Sequence, residues 1–202
     1  MKLTKKIMAC VVAAAVVVSS AMTVMAAGSI SKNATAKGFK VEVVNENTAV
    51  YQEVVKTYEY LAPAVVDVNK GNYKMKDFIE AARKEVAEGT KLTDAAKENL
   101  TQIADKLEGT EFVTAFYSLT EDADSGVTIE KTEDGKYKVT LTVENLTKDL
   151  KGLKVLAYNA AKGEWEIVEI PADAIDVENH TITITLEDIS LFSIISDAPT
   201  AK

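Results

Sequence analysis

Hydrophobic residues recur at two spacings along this chain, and the change falls at Gly109. Before it, Val50, Tyr51, Val54, Val55, Tyr58 and Leu61 share one helical face, with Glu53, Lys56 and Glu59 outside it. The pattern predicts a helix that starts at a Thr48 or Asn47 cap and stops at Pro63. Residues 64–72 read as a link closing on the turn composition Asn69-Lys70-Gly71-Asn72. A second helix is predicted from Lys74 to Glu88, with Phe78, Ile79, Ala82 and Val86 as its stripe and Gly89 at its end. A third follows a Thr93 cap, carries Ala96, Leu100, Ile103, Ala104 and Leu107, and ends at Gly109. Helices two and three form a hairpin.

After Gly109 the period becomes two. Candidate strands are 111–119, 127–132, 136–144, 153–159, 164–170, 175–178, 180–186 and 190–196, separated by turn signals such as Asp134-Gly135 and Lys162-Gly163. In the clearest, Tyr137, Val139, Leu141 and Val143 alternate with lysines and threonines, as Ile182, Ile184 and Leu186 do further on. Short strands spaced by turns over this length predict a β-sandwich. Ahead of the helices, Phe39, Val41 and Val43 mark one short strand behind a small, polar leader.

The start of the chain reads as an export signal. MKLTKK is basic, IMACVVAAAVVV is a short apolar run, and SSAMTVMAA supplies small residues for cleavage after Ala26, or after Ala27. The run is too short for a membrane span. Cys10, the only cysteine, lies inside it, so the exported chain has no disulfide, thiol nucleophile or thiolate metal site. Losing Lys2, Lys5 and Lys6 with the signal takes the net charge from −8 to −11. That charge argues against nucleic acid as a partner, because phosphates would be repelled.

Few residues can carry chemistry. His180, the single histidine, follows Asn179 at a predicted hairpin turn; it cannot make a multi-histidine metal site, and no Gly-x-Ser-x-Gly elbow accompanies Ser190 or Ser193. Asp67 to Asp77 resembles a calcium loop, but counting from Asp67 the fifth position is Gly71 and the twelfth Phe78, so a turn and helix start is the better reading. Asp122-Ala-Asp124-Ser-Gly126, with Glu133 twelfth, lacks glycine at the sixth position and reads as an acidic turn. Calcium-dependent association through such turns is the weakest functional reading. No phosphate loop or nucleotide fingerprint occurs. No catalytic, cofactor-binding or metal residue is therefore assigned, and no cofactor is expected. Trp165 reads as core; as an exposed sugar-stacking platform it would need Tyr158 and Tyr117 beside it. The Val50–Tyr58 stripe reads as internal packing rather than a partner groove.

The stretch Leu153–Ile195 carries Val155 and Tyr158, then Gly163, Trp165-Glu166 and Val168, the alternating run Ile182–Leu186, and Ile189-Ser190-Leu191-Phe192-Ser193-Ile194. It resembles the C-terminal β-sandwich segment of secreted and wall-anchored proteins of Gram-positive bacteria, with Leu191 where that family has proline. The resemblance implies an immunoglobulin-like fold, a cell-surface setting and no catalytic residues. The expected architecture is α+β: a signal at 1–26, a leader with a possible short strand at 27–47, a helical region of about three helices at 48–109, an antiparallel immunoglobulin-like β-sandwich at 110–197 and a polar tail at 198–202. The expected function is a secreted or surface-associated, non-enzymatic binding or structural module with an extracellular protein or glycan as partner. The alternative is a carbohydrate-binding module or a small glycan hydrolase using two carboxylates.

Overall fold

A computed structural model describes residues 30–188 and 191–199. The signal-like segment with Cys10, the pair Ile189-Ser190 and the end of the polar tail lie outside the described residues. The chain is α+β. In order it forms strands β1 (Ala34–Ala36) and β2 (Phe39–Val43), helices α1 (Ala49–Thr57), α2 (Leu61–Lys70), α3 (Met75–Glu88) and α4 (Asp94–Leu107), then β3 (Thr110–Phe112), β4 (Tyr117–Glu121), β5 (Tyr137–Val143), β6 (Lys154–Asn159), β7 (Glu164–Glu169), β8 (Ile175–Asp176), β9 (Thr181–Leu186) and β10 (Leu191–Asp197).

There are four helices, not three. Pro63 does not stop a helix; it sits in the first turn of α2, where an N–H has no intrahelical acceptor and its loss costs little. The stretch read as a link is α2 itself. Its polar stripe is narrow, Pro63, Asp67 and Lys70 alone on one face, while Leu61, Ala62, Ala64, Val65, Val66, Val68 and Asn69 are all buried. Thr93 caps α4 as its sequence predicts, its Oγ1 accepting from the Ala96 N–H at 3.2 Å.

The strands form one continuous antiparallel sheet, curled into a half-barrel, in the order β7-β6-β10-β4-β2-β1-β5-β9-β8, with β3 also pairing β10. Two separately stacked sheets, the arrangement the strand spacing predicts, are not what the pairing makes. The alternation is the same in both arrangements, since a curled sheet buries its concave face as a sandwich buries its inner faces. The small leader residues Ala34 and Ala36 enter the middle of the sheet, Ala34 opposite Val143 and Ala36 opposite Leu141. The long predicted strand 111–119 divides in two. Phe112 stands opposite Ile195 and Tyr117 opposite Phe192, so the β3–β4 side carries extra residues, and the Val113 and Thr114 N–H groups both reach the Ile194 carbonyl. This bulge bends the strand where the sheet curls.

Each face of the sheet has its own core. The concave core holds Tyr117, Val139, Leu141, Val155, Ile182, Ile184, Phe192 and Ile194. The convex core lies under the helices and joins Val54, Tyr58, Leu61, Phe78, Leu100 and Leu107 to Phe116, Leu156, Tyr158, Trp165, Leu191 and Ile195. β6 and β10 are buried on both faces, and so read as mostly apolar runs, broken in β10 by Ser193 and Ser196; β5 and β9 each have one face that meets solvent, and so alternate with threonine and, in β5, lysine. Among the described residues no helix is long and apolar enough to cross a membrane.

Candidate binding site at the seam of the half-barrel

β7 and β8 are the two ends of the sheet, and where β8 leaves off an open cleft of about 500 Å³ lies between β7 and β9. Val168, Glu169 and Ile170 line one wall and Thr183, Ile184 and Thr185 the other, with Val155 and Lys138 between. Pro171 and the short turn Ala172–Ala174, which carry the chain from β7 to β8, also line the cleft.

The backbone of both walls faces into this seam. On β7, the Trp165 N–H donates to Asn99 Oδ1 and the Trp165 carbonyl accepts from Asn99 Nδ2, each at 3.0 Å, so both groups point away from β6. Alternation then turns the N–H and C=O of Ile167 and Glu169 the same way. On β9, the Val143 N–H donates to the His180 carbonyl at 2.8 Å, which sets His180, Ile182, Ile184 and Leu186 as the residues bonded to β5. Thr181, Thr183 and Thr185 therefore present their backbone to the opposite side. β8 covers Thr181, its pairs being Ile175 with Ile182 and Asp176 with Thr181, and the same register sets the Ala174 carbonyl against the Thr183 N–H. Among the described residues, Ile167, Glu169 and Thr185 are left with backbone edges that pair with no strand.

Charged groups collect at the end of the seam near the start of β7. Lys162 Nζ lies 2.5 Å from Glu187 Oε2, Lys136 Nζ lies 3.9 Å from Glu187 Oε1, and Asn159 Nδ2 donates to the same Glu187 carboxylate at 3.1 Å. A hydrogen bond from Lys162, with its charge, holds Glu187 below the usual carboxylate range. Glu166 is half-buried. Its desolvation, and next the charge of Glu187, push the Glu166 carboxyl above that range against the pull of Lys162 and Lys136. Two carboxyl groups of opposite tendency thus share one mouth. Nothing local in the sequence marks them, because 20 other residues separate them; the only hint is an acid standing between Trp165 and Ile167 in an alternating strand.

The residues singled out in sequence have structural duties. Trp165 is 1% exposed, wedged against Tyr58, Phe78, Phe116 and Tyr158 with ring centroids 5.5–6.3 Å away. Tyr158 and Tyr117 are buried too, Tyr117 on the other face of the sheet against Phe192. The three rings make no common exposed surface. Asp67 and Asp77 serve caps: the Asp67 carbonyl accepts from Asn72 and Tyr73 behind the left-handed Gly71, and Asp77 Oδ2 accepts from the Lys74 N–H at 2.8 Å. Asp122 caps a short turn through the Asp124 N–H and pairs with Lys40 at 3.4 Å. Among the described residues no group of three or more His, Cys, Asp or Glu is placed to hold a metal ion. His180 is half-buried at φ 54°, its Nδ1 2.9 Å from the Leu146 carbonyl, and the buried Ser193 hydroxyl donates to the Thr114 carbonyl at 2.8 Å. In the α1 stripe, Val54 and Tyr58 are core, with Val50, Tyr51 and Val55 packed against it.

No protein family, curated protein or solved structure matches this chain.

Proposed function

We propose that this protein is an exported module of a Gram-positive-like bacterium, secreted or held at the cell surface, that binds an extracellular partner and catalyses nothing. The export-signal pattern at 1–26 and the resemblance of residues 153–195 to immunoglobulin-like wall-protein segments support the setting. The observation that carries the binding role is the burial of Trp165, which removes the ring surface a glycan platform needs and commits it to joining helices and sheet. The surface the protein offers a partner is the seam, with its uncovered strand edges. Fractionation of cells making the full chain tests the setting: the expected product lacks residues 1–26 and is found in the medium or on the surface. Recovery of the uncleaved chain in the cytoplasm would overturn it.

The Glu166–Glu187 pair favours a second reading, a small glycan hydrolase, because a carboxyl pushed above the usual range beside one held below it is the division of labour that glycoside cleavage uses. Incubation with bacterial wall glycan separates the two. Release of reducing ends that Glu166→Gln and Glu187→Gln each abolish would establish the hydrolase; no release from the wild type is the outcome expected of a binding module.

A further inference from the structure

We infer that the seam between β7 and β9 takes in an extended strand of a partner polypeptide, basic at the end that lies over Glu166 and Glu187. The inference rests on the binding-module reading and names its site and its partner's chemistry.

Three observations meet here. The first is the pair of facing edges. Glu169 on one wall and Thr185 on the other direct N–H and C=O groups that pair with no strand into the same cleft, and Ile167 continues the β7 edge beyond it. Unpaired edges are templates for another strand, and the β7 edge from Ile167 to Glu169 offers three residues, roughly 10 Å of chain at the rise of a β-strand. Elsewhere the fold covers the same edges: Asn99 occupies Trp165, and β8 with the turn before it occupies Thr181 and the Thr183 N–H. The cover stops where the cleft begins.

The second is the two-sided character of the slot. Val155, Val168 and Ile184 line its floor and belong to the concave core, whereas the Thr183 and Thr185 side chains stand on the outer face of β9. A strand that alternates apolar and polar side chains would set its apolar face on the core and complete the barrel. A small polar ligand would leave the floor uncovered.

The third is charge. At the mouth Glu164, Glu166, Glu187 and Asp188 surround Lys136 and Lys162. Along the slot Glu169 and Asp173 stand with Lys138. Acids outnumber lysines in both places, and the whole chain is −8. A second copy of this protein would bring the same excess of negative charge to the seam, so the complementary occupant is a basic strand from a different chain.

Amide hydrogen exchange on the full chain tests this, using a short peptide of alternating valine and threonine ending in two lysines. The expected result is slowed exchange at Ile167, Glu169 and Thr185, with affinity about tenfold above that of the twin ending in two glutamates. In the Glu166→Gln/Glu187→Gln variant that preference should shrink to about threefold or less. A peptide methylated at alternate backbone nitrogens should fail to protect the three amides. Thr185→Pro, which removes one seam-facing N–H without touching the β5 ladder, should weaken binding about tenfold. Absence of protection in the wild type, equal binding of the lysine and glutamate peptides, or full binding of the methylated peptide would each overturn the inference. So would protection of the same amides by wall glycan, or by raised protein concentration with no peptide, which would give the slot to a sugar or to a second copy. Because the readout is exchange and not turnover, a glycan-hydrolysis result that sinks the binding-module reading stays distinguishable from a peptide result that sinks only this assignment.

Discussion

Asn69 and Asn99 do the same job in two places, each lending its amide to backbone groups that no strand or helix reaches. Asn69, on α2, donates to the Val44 and Phe116 carbonyls at 2.7 and 3.1 Å and accepts the Phe116 N–H at 2.6 Å, all in the interior. Asn69→Ala would leave the Val44 carbonyl and the Phe116 N–H unsatisfied, since the Phe116 carbonyl keeps the Val44 N–H at 3.0 Å, a cost of about 2 kcal/mol that urea unfolding would register. Glu85 plays a related part. Fully buried on α3, it accepts the Tyr60 and Leu61 N–H groups at 2.5 and 3.0 Å and so closes the start of α2. It leaves no room at Gly89, where a Cβ would run into its carbonyl and Oε1. Glu85→Ala is expected to cost about 2 kcal/mol, with Glu85→Gln, which keeps one acceptor, costing less. For Glu166 the sign with pH is the reverse of that of a salt-bridged acid. Folding raises its carboxyl above the ordinary range, so its contribution is fully present at low pH and is lost as pH rises through the carboxylate range. Glu166→Gln should therefore gain stability relative to the wild type between about pH 4 and pH 7, measured by urea titration at each pH. Tyr117 works higher on the scale: burial pushes its hydroxyl up to about 12 while it donates to the Ser31 carbonyl at 2.9 Å. Its contribution is lost above about pH 10, where the unfolded chain ionises first, and Tyr117→Phe should flatten alkaline unfolding.

Among the elements, helix α4 and strand β7 depend on each other through Asn99, whose two hydrogen bonds occupy part of an outer sheet edge. Asn99→Ala is expected to cost about 1–2 kcal/mol and to expose that edge, so light scattering should show more self-association than for the wild type. How much of this was legible in the sequence depends on how local the cause is. α3, α4, β5, β6, β7 and β9 follow from spacing and caps, because each writes its own face into its own residues. α2 was hidden: its polar stripe is down to Pro63, Asp67 and Lys70, and Pro63 signals a break when its neighbours are unknown. β1 was hidden for another reason, since Ala34 and Ala36 become strand only because Val143 and Leu141 stand beside them. The strand order, the seam and the Glu166–Glu187 mouth arise from pairing across long loops, and Asn69 and Asn99 act on backbone 47 and 66 positions away. No window of sequence holds such information.

At the scale of the whole molecule, one sheet serves two cores, and neither can be removed without uncovering the other. Helices and sheet should therefore unfold together. Trp165, the single tryptophan, reports the helix-to-sheet interface by fluorescence, and circular dichroism reports the strands and helices together. The two urea transitions are expected to coincide; a fluorescence change that comes first would mean that the helices leave the sheet as a separate unit. The position of β10 adds a consequence in time. It is the last strand in sequence, yet it stands between β6 and β4 and also holds β3. While a ribosome is still adding the residues before Leu191, the β6–β7 hairpin has no strand to join it to the rest of the sheet. Until β10 has been made the emerging polypeptide stays pliant, which is the condition in which a thread passes most readily through a narrow opening.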